Sequence, residues 1–143
     1  MTKTSKEIQS DFYAMLKNSS LAKAVNGNVY RASVDSSYRP RNSNYEDIEV
    51  IFSQGATEQI QKGVITILVY VADIDPYENG VLVENGSRIE ELSRMAQDWV
   101  DSCPEAGTGY GISQKTPIDS IPIKEINQHA VSIQLNYEYY ENK

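Results

Sequence analysis

The sequence predicts an α+β fold: a mostly antiparallel sheet with two main helices packed on one face, in a single domain spanning residues 1–143. Three observations lead there. Two segments carry apolar residues at helical intervals behind a capping-box spacing, Thr4/Glu7 and Ser87/Glu90. Others, above all 47–53, 64–72 and 129–139, carry the apolar and alternating patterns of strands. With 143 residues, 40% hydrophobic and 23% charged, the chain suits one core and leaves little for a second.

The first helix starts at Thr4, and Ile8, Phe12, Met15 and Leu16 form one stripe at i, i+4, i+7 and i+8. Asn18 to Ser20 interrupts it, Leu21 to Val25 adds a turn, and Asn26-Gly27 offers a left-handed stop before a short strand over Val29 to Ala32. A polar stretch without periodicity follows, read as a long loop at about 33–46, which in a compact domain is usually functional or mobile. Asp47 to Ser53 alternates, placing Ile48, Val50 and Phe52 on a dry face and Asp47 and Glu49 on a wet one. Val64 to Ala72 is apolar on both faces, which predicts a central strand with something covering its second face.

After a turn-rich stretch from Asp73 to Gly86, Ser87 caps a second long helix whose stripe is Ile89, Leu92, Ala96, Trp99 and Cys103, with Pro104 as its stop. Glycines 107, 109 and 111 loosen the next connection, and Tyr110 to Thr116 forms a strand. Ile118 to Ile126 reads as extended, with Pro122 confining it to an edge or a bulge. His129 to Tyr139 has the cleanest alternation in the chain and predicts an antiparallel strand with one dry face.

Charge excludes some roles. Thirteen Lys and Arg against 20 Asp and Glu give a formal net charge of -7, which disfavours wrapping a nucleic-acid backbone. The asymmetry is internal as well: residues 1–45 hold seven basic and three acidic side chains, so the remainder holds six and 17. Such polarity could orient identical subunits head to tail, although two solvated faces are the preferred explanation. One cysteine and one histidine leave no internal disulfide and few ligands for a transition metal. No secretory leader is visible, and the longest apolar run, 64–72, is too short to span a bilayer, so a cytoplasmic chain with no membrane role is expected.

Candidate chemistry is sparse. A Cys103–His129 dyad would need a thiolate, which the C-terminal end of a helix opposes, and His129 opens a core-facing row where a polar partner at the sheet margin suits it better. Asp73, Asp75, Glu78 and Asn79 gather oxygens in one loop, yet Tyr77 breaks the calcium-loop pattern, so a solvated acidic turn is the better reading. The glycines at 107, 109 and 111 precede an extended segment and therefore form no phosphate loop. Arg31, Arg39 and Arg41, interleaved with Tyr30, Tyr38 and Tyr45, suit a protein interface more than RNA at this net charge. Ten tyrosines against two phenylalanines fit surfaces that become covered on assembly. No catalytic residue, cofactor or metal is expected, and the chain is read as non-enzymatic.

Three stretches carry a family resemblance. Residues 39–50, RPRNSNYEDIEV, resemble a loop-to-strand segment "RP.NS..EDI.V"; residues 63–74, GVITILVYVADI, resemble the central strand that follows; residues 125–135, EINQHAVSIQL, resemble a last strand "E..QH.V.I.L". With the two helices, the chain resembles small phage or prophage tail-completion proteins of the tail-terminator type over most of residues 5–140. That resemblance implies a structural protein without chemistry of its own: a homomeric ring, commonly a hexamer, that ends the tail tube and joins it to the head connector. Its partners would be further copies of itself, a tail-tube protein and a head-connector protein, with no nucleic acid. It would occupy the host cytoplasm during assembly and then the virion tail. The expected subunit interface is Tyr38, Arg39, Arg41, Tyr45 and Tyr70, with Arg39 and Arg41 meeting acids of the neighbour. The alternative is a small-ligand or peptide-binding α+β domain of a host protein, with an apolar pocket under the loop from Ser33 to Tyr45.

Overall fold

A computed structural model describes residues 2–57, 60–103 and 109–140. The elements run α1 (Ser5–Lys17), α2 (Ser20–Ala24), β1 (Val29–Ala32), β2 (Ile48–Ala56), β3 (Gln61–Ala72), α3 (Gly86–Asp101), β4 (Tyr110–Gln114), β5 (Asp119–Ile123) and β6 (Gln128–Tyr139), with a 3-10 turn over Lys124–Ile126. The α+β class holds. Six strands form one mixed sheet in the order β1-β2-β3-β6-β4, in which only β1–β2 is parallel. Both β4 and β5 pair with the outer side of β6, β4 along its second half and β5 along its first. They act as one edge strand interrupted by Pro117, and Pro122 sits opposite His129 on that edge, where a missing N–H costs no ladder bond.

The core lies between one face of this sheet and the helices. Ile8, Phe12 and Leu16 of α1 and Ile89, Leu92, Ala96 and Trp99 of α3 pack with Ile48 and Val50, with Ile65, Ile67, Val69 and Val71, and with Val131, Ile133 and Leu135. The stripes read from helical spacing are therefore the buried ones, while Met15 is only half-buried. The capping box at Thr4 forms as its spacing predicts: Thr4 N–H donates to Glu7 Oε1 at 3.0 Å and Glu7 N–H to Thr4 Oγ1 at 3.2 Å.

Several boundaries differ from the expectation, each for a local reason. Helix α3 starts at Gly86 behind Asn85, whose Oδ1 accepts from Arg88 N–H, so Ser87 is already inside the helix. Cys103 lies just past the helix end, packed against the core, and Pro104 and Gly107 fall outside the described residues. Gly27 has no left-handed backbone. It is glycine for space, because a Cβ there would stand 2.3 Å from Asp47 Oδ1. The extended run expected to Ile126 ends at Ile123 in the 3-10 turn, which closes through Asn127 at φ 55°.

The second face of β3 carries no helix. Opposite Thr66 and Leu68 stand Gln134 and Ser132, so the middle of this face is polar and half-exposed, while Val64 is buried at one end and Tyr70 is covered at the other by the 33–46 loop. We expect Phe12→Ala, which empties a fully buried ring site, to cost about 3–5 kcal/mol in urea denaturation, and Lys6→Ala on the exposed side of the same helix to stay within about 0.5 kcal/mol.

Candidate functional site

The loop from 33 to 46 is built around one buried ion pair. Arg39 is 8% exposed and Asp47 1% exposed, and Arg39 Nε donates to Asp47 Oδ2 at 2.9 Å. A paired charge this deep requires its remaining donors and acceptors to be matched too. They are. Arg39 Nη1 donates to Gln128 Oε1 at 2.9 Å, and Nη2 donates to the backbone carbonyls of Ser43 and Tyr45 at 3.2 and 2.9 Å. Asp47 accepts further from Ser43 Oγ at 2.6 Å and from Asn28 N–H at 3.0 Å, the latter in the space left by Gly27. Gln128, itself 2% exposed, returns its amide N–H to the Ser43 carbonyl at 2.7 Å.

The guanidinium carbon Cζ of Arg39 lies over the Tyr70 ring, 4.0 Å from its centre. Tyr70 donates its hydroxyl to Glu49 Oε1 at 2.6 Å, and Glu49 Oε2 accepts from Ser37 Oγ at 2.5 Å and Tyr38 N–H at 3.2 Å. Asp47 and Glu49, expected on a wet face, are both 1% exposed. The loop brings them their donors and water is not needed. A second clamp sits beside the first: Arg88 of α3 grips Glu46 with two bonds, of 2.7 and 2.8 Å, and donates to the Ala24 carbonyl at the end of α2 at 2.8 Å.

This geometry divides the residues expected at an interface. Tyr38 and Tyr45 are 54% and 63% exposed, and Arg41 is exposed with no ion pair among the described residues. Arg39 and Tyr70 are instead interior. The acid expected from a neighbouring subunit for Arg39 is Asp47 of the same chain, which offsets the cost of burying the guanidinium. The tyrosine surplus divides likewise: Tyr70, Tyr110 and Tyr137 are buried, while Tyr38, Tyr45, Tyr77 and Tyr140 face outward.

Under the loop lies a recess of about 470 Å³ lined by Ser37, Arg39, Pro40, Arg41, Tyr70, Ile123 and Ile126. At the same end of the sheet, the segment after β3 forms a small hairpin closed by the Ile74–Val83 bridge. Asp75 accepts from the N–H groups of Asn79 and Gly80 at 3.1 and 2.8 Å. At its base His129 Nδ1 meets Asp73 Oδ1 at 2.6 Å, and Glu84 accepts from Ser120 Oγ at 2.5 Å. His129 thus has the polar partner its margin position predicted, and its distance from Cys103 is not bridged by any bond between them. Among the described residues no group of three or more His, Cys, Asp or Glu side chains is arranged to hold a metal ion, and no helix is long and apolar enough to cross a membrane.

No family model and no curated protein matches the chain. One solved structure is similar over 99% of this chain and 99% of its own, at 18% identity and a TM-score of 0.46. A likeness at that level carries no argument about function.

The pinning residues were partly within reach of sequence reasoning. Arg39, Ser43, Asp47, Tyr70 and Gln128 all lie inside the three stretches that carry the resemblance, but periodicity assigns acids on a strand to water and sees no partner 89 residues away. Gln9 was missed entirely. Its amide donates to the carbonyls of Ala32 and Val50 at 2.7 and 2.8 Å, fastening α1 to the β1–β2 edge.

Two outcomes follow. Asp47→Ala, which leaves Arg39 buried without its anion, should cost about 3–5 kcal/mol in urea denaturation, and the double variant Arg39→Met with Asp47→Leu should cost less than that single change. Burial first, then the bond to the Glu49 carboxylate, pushes the Tyr70 phenol well above the usual tyrosine range; burial and the Asp11 carboxylate do the same to Tyr110, and burial raises Tyr137. Since each folded value is raised, the stability they contribute is complete below the unfolded tyrosine value of about 10 and is lost as pH climbs beyond it. Alkaline titration followed by circular dichroism should show stability falling above about pH 10, with buried phenolate appearing together with unfolding; reversible ionisation of all ten tyrosines in a chain that stays folded would contradict it.

Proposed function

We propose that the protein is a non-enzymatic structural subunit that assembles with copies of itself into a ring, in the manner of the phage tail-terminator proteins it resembles, ending a tail tube and meeting a head connector. One observation carries the reading. A loop that its own chain fastens with a buried ion pair, a buried glutamine and a tyrosine–glutamate bond holds Tyr38, Arg41 and Tyr45 out to solvent. Side chains of these types, presented on a backbone already ordered, lose little freedom on association and supply the aromatic and guanidinium anchors that interfaces favour. The stretches of sequence that carry the resemblance are also those that converge on this loop, which supports a shared architecture for this part of the chain. The acidic balance of residues 46–143 against the basic balance of 1–45 supports contact between unlike surfaces of identical subunits.

A second reading draws on the recess under the loop: a ligand- or peptide-binding domain would be a monomer with that recess as its site. Sedimentation velocity over a wide concentration series, at low and moderate salt, separates the two. The ring reading expects one discrete closed oligomer that weakens as salt rises. A monomer at every concentration removes it and favours the binding domain.

A further inference from the structure

The hairpin between β3 and α3 is a poor fit to a solvated turn. Its backbone is ordered by the Ile74–Val83 bridge, by the Asp75 bonds to Asn79 and Gly80, and by the tie from Asp73 to His129. Yet it exposes Tyr77 at 79%, Val81 at 56%, Leu82 at 48% and Val83 at 36%. Four apolar side chains exposed on one short bonded hairpin are more than scattered surface residues, and such a concentration marks a contact surface. The segment 73–84 also holds four acids, Asp73, Asp75, Glu78 and Glu84, and no lysine or arginine.

The recess beneath the 33–46 loop has the opposite character. Pro40, Ile123 and Ile126 supply apolar walls, and Arg41 stands at the lining. The acids around it are already matched: Asp47 by Arg39, Glu46 by Arg88 and Glu49 by Tyr70 and Ser37. Lys124 and Glu125, adjacent in the chain to the lining isoleucines, balance one another. Arg41 is therefore the cation this surface offers, while the projection offers apolar side chains beside Glu78, the acid left there once Asp73 is held by His129, Asp75 by Asn79 and Gly80, and Glu84 by Ser120.

We infer that the acidic apolar hairpin at 74–83 of one copy docks into the recess lined by Pro40, Arg41, Ile123 and Ile126 of the next copy. This deepens the self-assembly reading above and rests on it. Knob and recess are different surfaces of the same chain, so the contact is heterologous, and repeating it gives a ring where the rotation closes and a filament where it does not.

The test is complementation by sedimentation velocity with the full chain. One variant spoils the knob, Tyr77→Ala with Leu82→Ala; another spoils the recess, Arg41→Glu. All three side chains are exposed, and unchanged circular dichroism and melting temperature verify that both variants fold. Each variant alone should assemble at least about tenfold more weakly than the unmodified chain. Mixed in equal amounts, well above the concentration at which the unmodified chain assembles, they should form a discrete heterodimer, since the mixture retains one intact knob and one intact recess. Variants that assemble like the unmodified chain would overturn the hairpin contact and leave the ring reading standing. So would a mixture that stays monomeric at that concentration. An unmodified chain that is monomeric throughout would overturn both, leaving the hairpin to a different protein.

Discussion

Burying Arg39 and Asp47 together takes two charges out of water, at several kcal/mol each if unmatched, and the shape of one end of the molecule follows from the matching. The guanidinium needs carbonyls, so the loop must bend until those of Ser43 and Tyr45 face it. The carboxylate needs N–H and O–H donors, so Asn28 must approach it, which requires a residue without a side chain at 27. The remaining donor reaches Gln128 on the strand two positions along the sheet. A segment with no periodicity is thereby tied to the strands it joins, without adding an element of regular structure.

The consequence is a division of labour along β3. Its helix-facing side chains belong to the core shared by α1 and α3, while its other face is polar in the middle and locked under the loop at the Tyr70 end. The loop enters β2 beside that end, at Ile48 opposite Val69, and the 74–83 hairpin leaves β3 just beyond Ala72. Two ordered projections, one with exposed tyrosine and arginine and one with apolar and acidic side chains, thus emerge from the same end of a rigid sheet. Order in both comes from hydrogen bonds within the chain, buried under the loop and largely exposed in the hairpin, and neither exposed set is needed for it. That separation between what holds a segment and what the segment shows is the physical basis of the assembly reading.

Helix positions and strand periods were legible because they depend on neighbours a few residues apart: Thr4 with Glu7, Ile8 with Phe12 and Leu16, Ile65 with Ile67 and Val69. Departures arose where a local pattern had more than one solution. The capping-box spacing points to Ser87 as the cap of the second helix, and Asn85, two residues earlier, holds that place through its bond from Arg88 N–H. Gly27 looked like a turn residue and is instead a gap for a carboxylate. Arg39 and Arg41 looked alike in the sequence, two residues apart, yet one is a buried structural ion and the other an exposed cation.

By itself the sequence determined the α+β class, the two amphipathic helices, the central strand and the last alternating strand, because each is a repeat of burial along the chain. It also placed the long loop and the acidic turn as segments outside that repeat. Only the tertiary structure decided what those segments are. Whether a charged or polar residue is wet or buried depends on partners brought from far along the chain, as Gln128 is brought to Arg39 and His129 to Asp73. Those meetings are set by strand register, and register is a property of the assembled sheet.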